Sequence, residues 1–242
     1  MGRAIIAGGN RATEPIKGIA ASELAVGSAV KLKENGTNVE YLVVHQGLPS
    51  SLYDESCDGT WLLRKDVNEK QKWNSSNKND YANSTIQSYL NVDFFNLFDV
   101  NIQNIIKQIK IPYRKGIGYS RPATSGGDGL SCKIFLLAAK EVGLNLGTMP
   151  TGEGEVLSFF AGTSTEITNN RISYLNGTAA DWWLRSPYCS SSADYGEEAI
   201  YIKSTGTWGD EYCNRTRGIR PALILPSDAL FDAKNLTLKG AA

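Results

Sequence analysis

The chain has 242 residues and equal numbers of basic and acidic side chains, 25 Lys and Arg against 25 Asp and Glu, so its formal net charge is zero. This balance gives no electrostatic footprint for nucleic acid or for an anionic membrane surface. No stretch approaches the roughly 20 apolar residues that span a bilayer, and the first residues lack the apolar core of a signal peptide, so we expect neither.

Residues 1–22 are predicted to form an N-terminal arm, because Gly8-Gly9-Asn10 and Pro15 interrupt any regular element. A flexible leader and an oligomerising or docking arm both fit this pattern. No long linker follows, so residues 23–242 are expected to form a single domain. An aromatic content of 10%, with many Gly, Asn, Ser and Thr, is typical of a loop-rich protein with strands.

The first clear element is a β-hairpin. Apolar residues alternate from Val30 to Val43 around Asn35-Gly36, a pair that suits a tight turn because both central positions need positive φ. Thr60–Arg64 is predicted to be a further strand.

Two helices are predicted next. Asn83 or Ser84 is expected to cap a helix that carries an apolar stripe. The stripe consists of Ile86, Tyr89, Leu90, Phe94, Leu97 and Phe98. A second helical run covers Ile102–Ile109 and leads into a strand toward Tyr113. Both stripes are interpreted as core.

The middle of the chain is less regular. The glycines of Gly116–Gly129 lack dinucleotide or P-loop spacing, so this segment is predicted to be a long loop without a phosphate site. Cys132–Gly143 is apolar and is expected to begin as a strand and end as a helix. A short helix is predicted over Glu153–Phe160 and a loop over Thr163–Asn170.

Two apolar segments near the C-terminus enclose a polar one. Trp182–Pro187 and Gly218–Leu225 are predicted to be buried, and their arginines, Arg185 and Arg220, are assigned to the scaffold. Between them, Tyr188–Arg217 is rich in Tyr, Ser, Thr and acidic residues. This composition is typical of evolved binding surfaces, although an ordinary polar loop explains it equally well.

The polar segment is expected to contain a hairpin of its own. Ala199–Ile202 is predicted to be a strand, Ser204–Gly206 its turn, and Thr207-Trp208 the start of the return strand. Trp208 is expected to pack beneath the hairpin, while the other tyrosines and the acidic residues project from it.

Cysteine and histidine usage argues against a metal centre. The four cysteines, Cys57, Cys132, Cys189 and Cys213, form no CxxC motif, and His45 is the single histidine, so no zinc site and no cofactor are expected. Cys189 and Cys213 bracket the polar segment, and free thiols are favoured over a disulfide between them. His45 lies in a predicted apolar strand, which favours a structural role.

The motifs of the C-terminal half resemble a known family. Trp182–Pro187 (WWLRSP), Gly206-x-Trp208, Cys213 and Gly218–Leu223 (GIRPAL) are similar to the variable proteins of diversity-generating retroelements in bacteria and gut bacteriophages. Upstream, Trp73, Asn79–Ser84 and Tyr89-Leu90-Asn91 resemble a domain family of otherwise unassigned function that is often found in phage tail-associated proteins. The resemblance spans about residues 20–228.

This resemblance implies a fold and a function. The implied fold is α+β, a C-type-lectin-like fold of the formylglycine-generating-enzyme branch, with mixed, mainly antiparallel strands, two main helices and long loops. The implied function is ligand or receptor binding without catalysis, through a surface at about residues 188–217 that an error-prone reverse transcriptase diversifies. The implied contact residues are Tyr188, Ser190, Ser191, Ser192, Asp194, Tyr195, Glu197, Glu198, Tyr201, Lys203, Thr207, Asp210, Glu211, Tyr212, Asn214, Thr216 and Arg217.

The resemblance also implies a partner and a location. The partner is expected to be a protein or surface-glycan receptor on a bacterial cell, somewhat basic or polar because the segment is net acidic. The location is expected to be a phage tail, or the bacterial cytoplasm before assembly. Homo-oligomerisation through residues 1–22 remains open.

The sequence leaves two alternative functions, a calcium-dependent lectin and a formylglycine-generating-type oxidase. A calcium-dependent lectin would need carboxylate and amide ligands on neighbouring loops, and the usual Glu-Pro-Asn, Gln-Pro-Asp and Trp-Asn-Asp tripeptides are missing from the sequence. A formylglycine-generating-type oxidase would need Cys189 and Cys213 as thiolates facing a cleft.

Overall fold

Two five-stranded β-sheets organise the part of the chain that the computed structural model describes, residues 18–117, 123–189 and 196–241. The strands, in chain order, are β1 (Gly18–Ala20), β2 (Ala29–Glu34), β3 (Thr37–Gln46), β4 (Thr60–Arg64), β5 (Lys70–Lys72), β6 (Ile109–Ile111), β7 (Tyr113–Arg114), β8 (Ala123–Thr124), β9 (Leu130–Cys132), β10 (Ile134–Phe135), β11 (Tyr174–Leu175), β12 (Thr178–Ala179), β13 (Trp182–Pro187), β14 (Glu198–Ile202), β15 (Trp208–Tyr212), β16 (Thr216–Gly218), β17 (Ala222–Leu225), β18 (Ala229–Asp232) and β19 (Leu238–Ala241).

The first sheet has the order β10-β17-β4-β3-β2 and the second the order β15-β14-β13-β16-β5. Within the two sheets every pairing is antiparallel except that of β13 with β16. The fold is therefore α+β with mixed, mainly antiparallel strands, as expected. The β2–β3 hairpin turns at Asn35-Gly36, whose φ angles are 48° and 74°, so the predicted turn is confirmed.

Three α-helices lie among the described residues: α1 (Thr85–Tyr89), α2 (Val100–Ile105) and α3 (Ser164–Arg171). The hydroxyl of Ser84 accepts a hydrogen bond from the backbone N–H of Gln87 and so caps α1. After α1 the chain continues as a π-helical turn, Leu90–Phe94, and a 3₁₀ turn, Phe95–Leu97. The predicted apolar stripe thus follows a helix that changes its winding.

Three predictions for segments before β11 are wrong. Cys132–Gly143 begins in strands β9 and β10 as expected, but it ends in turns and not in a helix. Thr163–Asn170 is not a loop, because Thr163 and Glu166 form a capping box that starts α3. Glu153–Phe160 contains only the 3₁₀ turn Ser158–Phe160. Glu153, the first residue of this segment, is buried and accepts a hydrogen bond from the Ser186 hydroxyl instead of lying on one face of a helix.

Large aromatic side chains fill the core. Trp61, Trp73, Trp182 and Trp183 are fully buried. The Trp73 indole N–H donates to the carbonyl of Leu184 at 2.8 Å, so the hydrogen-bonding atom of the buried ring is satisfied. A side chain of this size removes 150–250 Å² from water, which stabilises the fold by about 5 kcal/mol before entropy is counted. Both predicted apolar segments are buried in the core: Trp182–Pro187, which is β13, and Gly218–Leu225, which ends with β17.

The strand β1 falls within the predicted arm. Gly18–Ala20 pairs antiparallel with β18, and β18 pairs with β19 in a three-stranded sheet. Residues 1–17, the remainder of the arm, lie outside the described residues. None of the helices described is long and apolar enough to cross a membrane.

Candidate binding surface

The polar segment is built on the β14–β15 hairpin that the sequence predicts. Ile202 pairs with Trp208 next to the turn, and Glu198 pairs with Tyr212 at the open end. Gly206 has a φ of +80°, and a Cβ at this position would lie 2.1 Å from the carbonyl oxygen of Thr168. Glycine is therefore required there by backbone conformation and by contact with α3. Trp208 is half-buried and packs against the core, as expected.

The expected contact residues differ in exposure. Those exposed to solvent are Lys203, Thr207, Asp210, Tyr212, Asn214 and Thr216. Those half-buried are Tyr188, Glu197, Glu198, Glu211 and Arg217. Ser190, Ser191, Ser192, Asp194 and Tyr195 lie outside the described residues. The eleven exposed and half-buried residues, counted from these two lists, are called the hairpin surface below.

Tyr201 is not part of this surface, which corrects the expectation that it anchors a ligand. Its side chain is only 9% exposed and meets the ring of Trp183 edge-on, with 5.9 Å between ring centroids. It lies across Gly209 on the paired strand, where a Cβ would come within 2.8 Å of its Cζ. The absence of a side chain at Gly209 leaves room for the ring.

Arg217 covers this buried ring. Its guanidinium carbon lies 4.9 Å from the Tyr201 ring centroid, and its Nη2 donates to Oε2 of Glu211 at 3.0 Å. Its Nε lies 3.5 Å from Oδ2 of Asp181. Two carboxylates and one ring hold the guanidinium in place. Arg217 therefore links its own strand, β16, to β14 and β15, and only the outer edge of its side chain faces solvent.

An asparagine-rich segment, residues 74–79, holds the open end of the β14–β15 hairpin. Its backbone N–H groups donate from Asn74 to the carbonyl of Cys213 and from Asn79 to that of Gly196, each at 2.8 Å. The Asn77 side chain donates to Oε2 of Glu197 at 3.0 Å and accepts from the backbone N–H of Asn214 at 3.1 Å. The surface therefore has its backbone fixed by a distant segment.

Sequence reasoning assigned no site role to this segment. Its signal was the density of asparagine, since Asn77 adopts a left-handed φ of 54° that asparagine tolerates better than most residues. The partners lie more than 110 positions away, as in the bond between Asn77 and Glu197, and no local pattern encodes such a distance.

A cleft of about 280 Å³ adjoins the surface. It is lined by Lys70, Leu175, Thr178, Ala179, Ala180, Asp181, Thr216 and Arg217. Thr216 and Arg217 were expected to contact ligand, whereas Lys70 and Asp181 were missed. Asp181 precedes the tryptophan pair, and its Oδ1 accepts from the backbone N–H of Ser204 at 2.9 Å. It therefore links the cleft to the hairpin turn.

The open end of the hairpin is acidic. Burial raises the pKa of Glu198, and the neighbouring carboxylates of Asp210, Glu211 and Glu197 raise it further. Within residues 18–117, 123–189 and 196–241 no group of three or more His, Cys, Asp or Glu side chains has the arrangement of a metal site. The acidic residues act here as a source of negative potential.

A buried ion pair lies beneath β13. Nη1 and Nη2 of Arg185 each donate to a carboxylate oxygen of Glu141 at 2.6 Å, and both side chains are fully buried. The same guanidinium donates to three backbone carbonyls, including that of Glu153 at 2.7 Å. All five donors of the guanidinium are thus used in scaffold contacts, which matches the assignment made from sequence.

The candidate catalytic groups are the four cysteines and His45. All four cysteines carry free thiols, and burial raises the pKa of Cys189 to about 11 and that of Cys213 further. Thiolates are therefore scarce at neutral pH. Nδ1 of His45 lies 2.8 Å from the hydroxyl of Ser158 and accepts from the Ser158 backbone N–H at 3.3 Å, and burial lowers the pKa of this histidine. This histidine fixes a turn.

The fold and the surface together define an α+β protein with a braced polar hairpin. Residues 58–227, more than half of the chain, match the family model described as Domain of unknown function (DUF6273). The chain therefore belongs to that family. A search of curated proteins and a search of solved structures each found no match.

Proposed function

We propose that the protein binds a ligand or receptor through the hairpin surface, which is displayed on a rigid C-type-lectin-like scaffold and diversified by a retroelement. The protein is proposed to be phage tail-associated or a bacterial adhesion protein, present in the virion or in the bacterial cytoplasm before assembly. Its receptor is a protein or a surface glycan on a bacterial cell. It acts by binding and not by catalysis.

One observation carries the proposal: a single segment combines buried residues with exposed ones, and its backbone is held by strand pairing and by hydrogen bonds to residues 74–79. Ile200 and Cys213 are fully buried, whereas Asp210, Tyr212 and Asn214 are exposed. Exposed side chains on a fixed backbone can be replaced without creating cavities in the core. Such a surface tolerates repeated sequence change.

Rigidity also favours affinity. Ordering a flexible loop on binding costs about 0.5–1.5 kcal/mol for each side chain that is immobilised, and part of this cost is avoided when the backbone is already fixed. Tyr212, 45% exposed, is the natural anchor of the described surface, because tyrosine gives a large contact area with few rotors. Half-buried Tyr188 offers a second ring.

Charge suggests the chemistry of the receptor. Glu197, Glu198, Asp210 and Glu211 outnumber Lys203, Arg215 and Arg217, and the pairing of Arg217 with Glu211 removes one charge of each sign. A receptor with a basic or polar epitope fits this balance, and its association is expected to slow as salt is raised.

The test uses labelled full-length protein and a panel of intact gut bacterial strains. The variant Asp210→Ala/Tyr212→Ala/Asn214→Ala is expected to keep its thermal midpoint and to lose at least tenfold in cell binding. The matched control Val92→Ala/Asp93→Ala/Asn96→Ala replaces three exposed residues elsewhere and is expected to bind normally. Unchanged binding by the first variant would overturn the proposal.

A second test concerns diversification. The gene's flanks are expected to contain a reverse-transcriptase gene and a near-identical template repeat of the segment for residues 188–217. Differences between repeat and gene should fall on adenines and on codons of exposed residues. A flank without either element would remove the retroelement from the proposal and leave the binding role to the first test.

A further inference from the structure

The strand β15 forms an unpaired edge of the second sheet. In the order β15-β14-β13-β16-β5 it has a neighbour on one side only, and no described residue pairs with its other side. The free edge of a strand carries backbone N–H and C=O groups to which a further strand can bind. Which groups of β15 face this edge follows from the hydrogen bonds of the hairpin.

Two hydrogen bonds across the hairpin show which backbone groups face outward. Next to the turn, the N–H of Lys203 donates to the carbonyl of Thr207 at 2.7 Å. At the open end, the N–H of Cys213 donates across the ladder at 2.7 Å. Hydrogen-bonded and non-hydrogen-bonded pairs alternate along an antiparallel ladder. Counted from either bond, Trp208 and Asp210 stand in non-hydrogen-bonded pairs, so their backbone groups point away from β14.

The outward backbone groups of Trp208 and Asp210 are free. Tyr212 also faces the edge, but its N–H donates to Oε1 of Glu211 at 3.1 Å and its carbonyl accepts from the N–H of Arg215 at 2.9 Å. The N–H and C=O groups of Trp208 and Asp210 have no hydrogen-bond partner among the described residues. The edge therefore offers two donors and two acceptors.

The spacing of these four groups suits a polypeptide. Trp208 and Asp210 are two positions apart, which is about 7 Å along a strand. An extended chain repeats its own N–H and C=O groups at the same interval, so a single strand can satisfy all four groups at once. Sugar hydroxyls do not repeat donor and acceptor at this interval, which favours a protein over a glycan at the edge.

The charge at the edge indicates the composition of that strand. Asp210 and Glu198 point to the same face of the hairpin, because Glu198 pairs with Tyr212, two positions from Asp210. Neither carboxylate forms an ion pair with a described residue. A strand with Lys or Arg beside Asp210 supplies the missing counter-charge, whereas a second copy of this edge would bring further carboxylates against it.

We infer that the free edge of β15 binds an extended, basic segment of the receptor, which adds a sixth strand to the second sheet. The backbone groups of Trp208 and Asp210 hydrogen-bond the segment, and a Lys or Arg of the segment contacts the Asp210 carboxylate. This inference rests on the proposed binding role of the hairpin surface. It specifies the receptor as a protein with an accessible extended segment.

The test uses a capped heptapeptide of alternating Lys and Val, titrated into the nitrogen-15-labelled full chain. The amide protons of Trp208 and Asp210 are expected to shift downfield, with a Kd of millimolar order. The same peptide with N-methyl groups on its fourth and fifth residues keeps its charge but has both of its edges blocked. It is expected to bind at least tenfold more weakly, as is a peptide of alternating Glu and Val. Equal binding of the methylated peptide, or no shift of either amide, would refute the strand addition.

Two variants at one position separate the backbone from the charge. Asp210→Ala removes the carboxylate, and Asp210→Pro removes the carboxylate and the outward N–H. Proline is tolerated there because this N–H makes no bond to β14. Asp210→Ala is expected to weaken peptide binding a few-fold and Asp210→Pro at least tenfold further. Equal affinities would contradict the inference, and the methylated peptide tests the same bonds without changing the protein.

Two further results separate the inference from its alternatives. Sedimentation of the protein alone is expected to show no dimer that Asp210→Pro dissociates, and such a dimer would mean that a second copy occupies the edge. If the peptide does not bind but Asp210→Ala/Tyr212→Ala/Asn214→Ala still loses cell binding, the proposed function stands and the strand addition is wrong. If the peptide binds and the triple variant keeps its cell binding, the edge binds strands but the proposed receptor role is wrong.

Discussion

Arg217 rests on the ring of Tyr201, with 4.9 Å between the guanidinium carbon and the ring centroid, so two residues expected to face a ligand instead face each other. Their strands, β16 and β14, are not neighbours: β13 lies between them and supplies Trp183 to the same cluster. The contact therefore spans three strands. It divides the polar segment into a buried structural layer and an outer layer of exposed side chains.

A tyrosine pair tests this division. Tyr201→Ala removes a buried ring and is expected to lower the free energy of unfolding by about 3–5 kcal/mol, because a cavity remains under Arg217. Tyr212→Ala removes a ring that is 45% exposed and should change it by no more than about 0.5 kcal/mol. Urea unfolding of both variants measures the difference. Equal costs would mean that the two layers are not distinct.

Two arginine variants test whether Arg217 links the strands of the hairpin surface. Arg217→Ala is expected to cost about 1–2 kcal/mol, since it removes a cation–π contact and two ion pairs that are partly screened by solvent. The exposed Arg215 has no ion pair among the described residues, and Arg215→Ala should cost less than about 0.5 kcal/mol. Raising the salt concentration should shrink the first value, and a salt-independent loss would argue against the ion pairs.

Local chemistry explains why several elements could be predicted. The turns at Asn35-Gly36 and Gly206 require positive φ, which few residues adopt. The asparagine and glycine residues therefore identify these turns in the sequence. The runs Trp182–Pro187 and Ala222–Leu225 are apolar enough that burial on both sides is the natural outcome.

The remaining features of the site depend on strand register and on long-range hydrogen bonds, which no local sequence pattern shows. Tyr201 has room to lie across its strand partner because that partner is Gly209, and the whole hairpin sets this register. The hydrogen bond from Asn77 to Glu197 joins segments that are 120 positions apart in the chain. Such contacts follow from the assembled fold and leave no local periodicity.

A glycine pair tests the hairpin turn. Gly206→Ala is expected to cost about 3 kcal/mol or more, because its Cβ would overlap the carbonyl oxygen of Thr168 in addition to the cost of positive φ. Gly36 has a similar φ, +74°, but nothing lies within 4 Å of the added Cβ, so Gly36→Ala should cost only about 1–2 kcal/mol. Thermal unfolding compares them, and equal shifts would show that the contact with α3 is unimportant.

The buried ion pair predicts strong coupling between its partners. Glu141→Gln leaves the Arg185 guanidinium buried without a counter-charge and is expected to cost about 3–5 kcal/mol. The double variant Glu141→Met/Arg185→Met removes both charges and should cost clearly less than the sum of the single variants Glu141→Met and Arg185→Met. A double-mutant cycle measured by urea unfolding gives the coupling energy. Additive costs would mean that the two groups do not depend on each other.

Glu153 predicts a pH dependence of stability. Burial raises the pKa of its carboxyl from an ordinary value of 4.5 to about 7, although Arg185 and the hydrogen bond from Ser186 oppose this shift. Between pH 4.5 and pH 7 the folded protein therefore holds a proton that the unfolded chain has released. This contribution is fully present below pH 4.5 and is lost as the pH rises through 7, a loss of about 3 kcal/mol.

The variant Glu153→Gln keeps the shape of the side chain and cannot titrate. Its free energy of unfolding should lack this contribution, so the difference between the variant and the natural chain should grow between pH 4.5 and pH 7 and stay constant above it. Urea unfolding at half-unit pH intervals measures this difference. A constant difference across the range would mean that the Glu153 carboxyl titrates normally. A difference that grows only between pH 4.5 and pH 7 assigns the effect to this carboxyl, which accepts a hydrogen bond from the Ser186 hydroxyl.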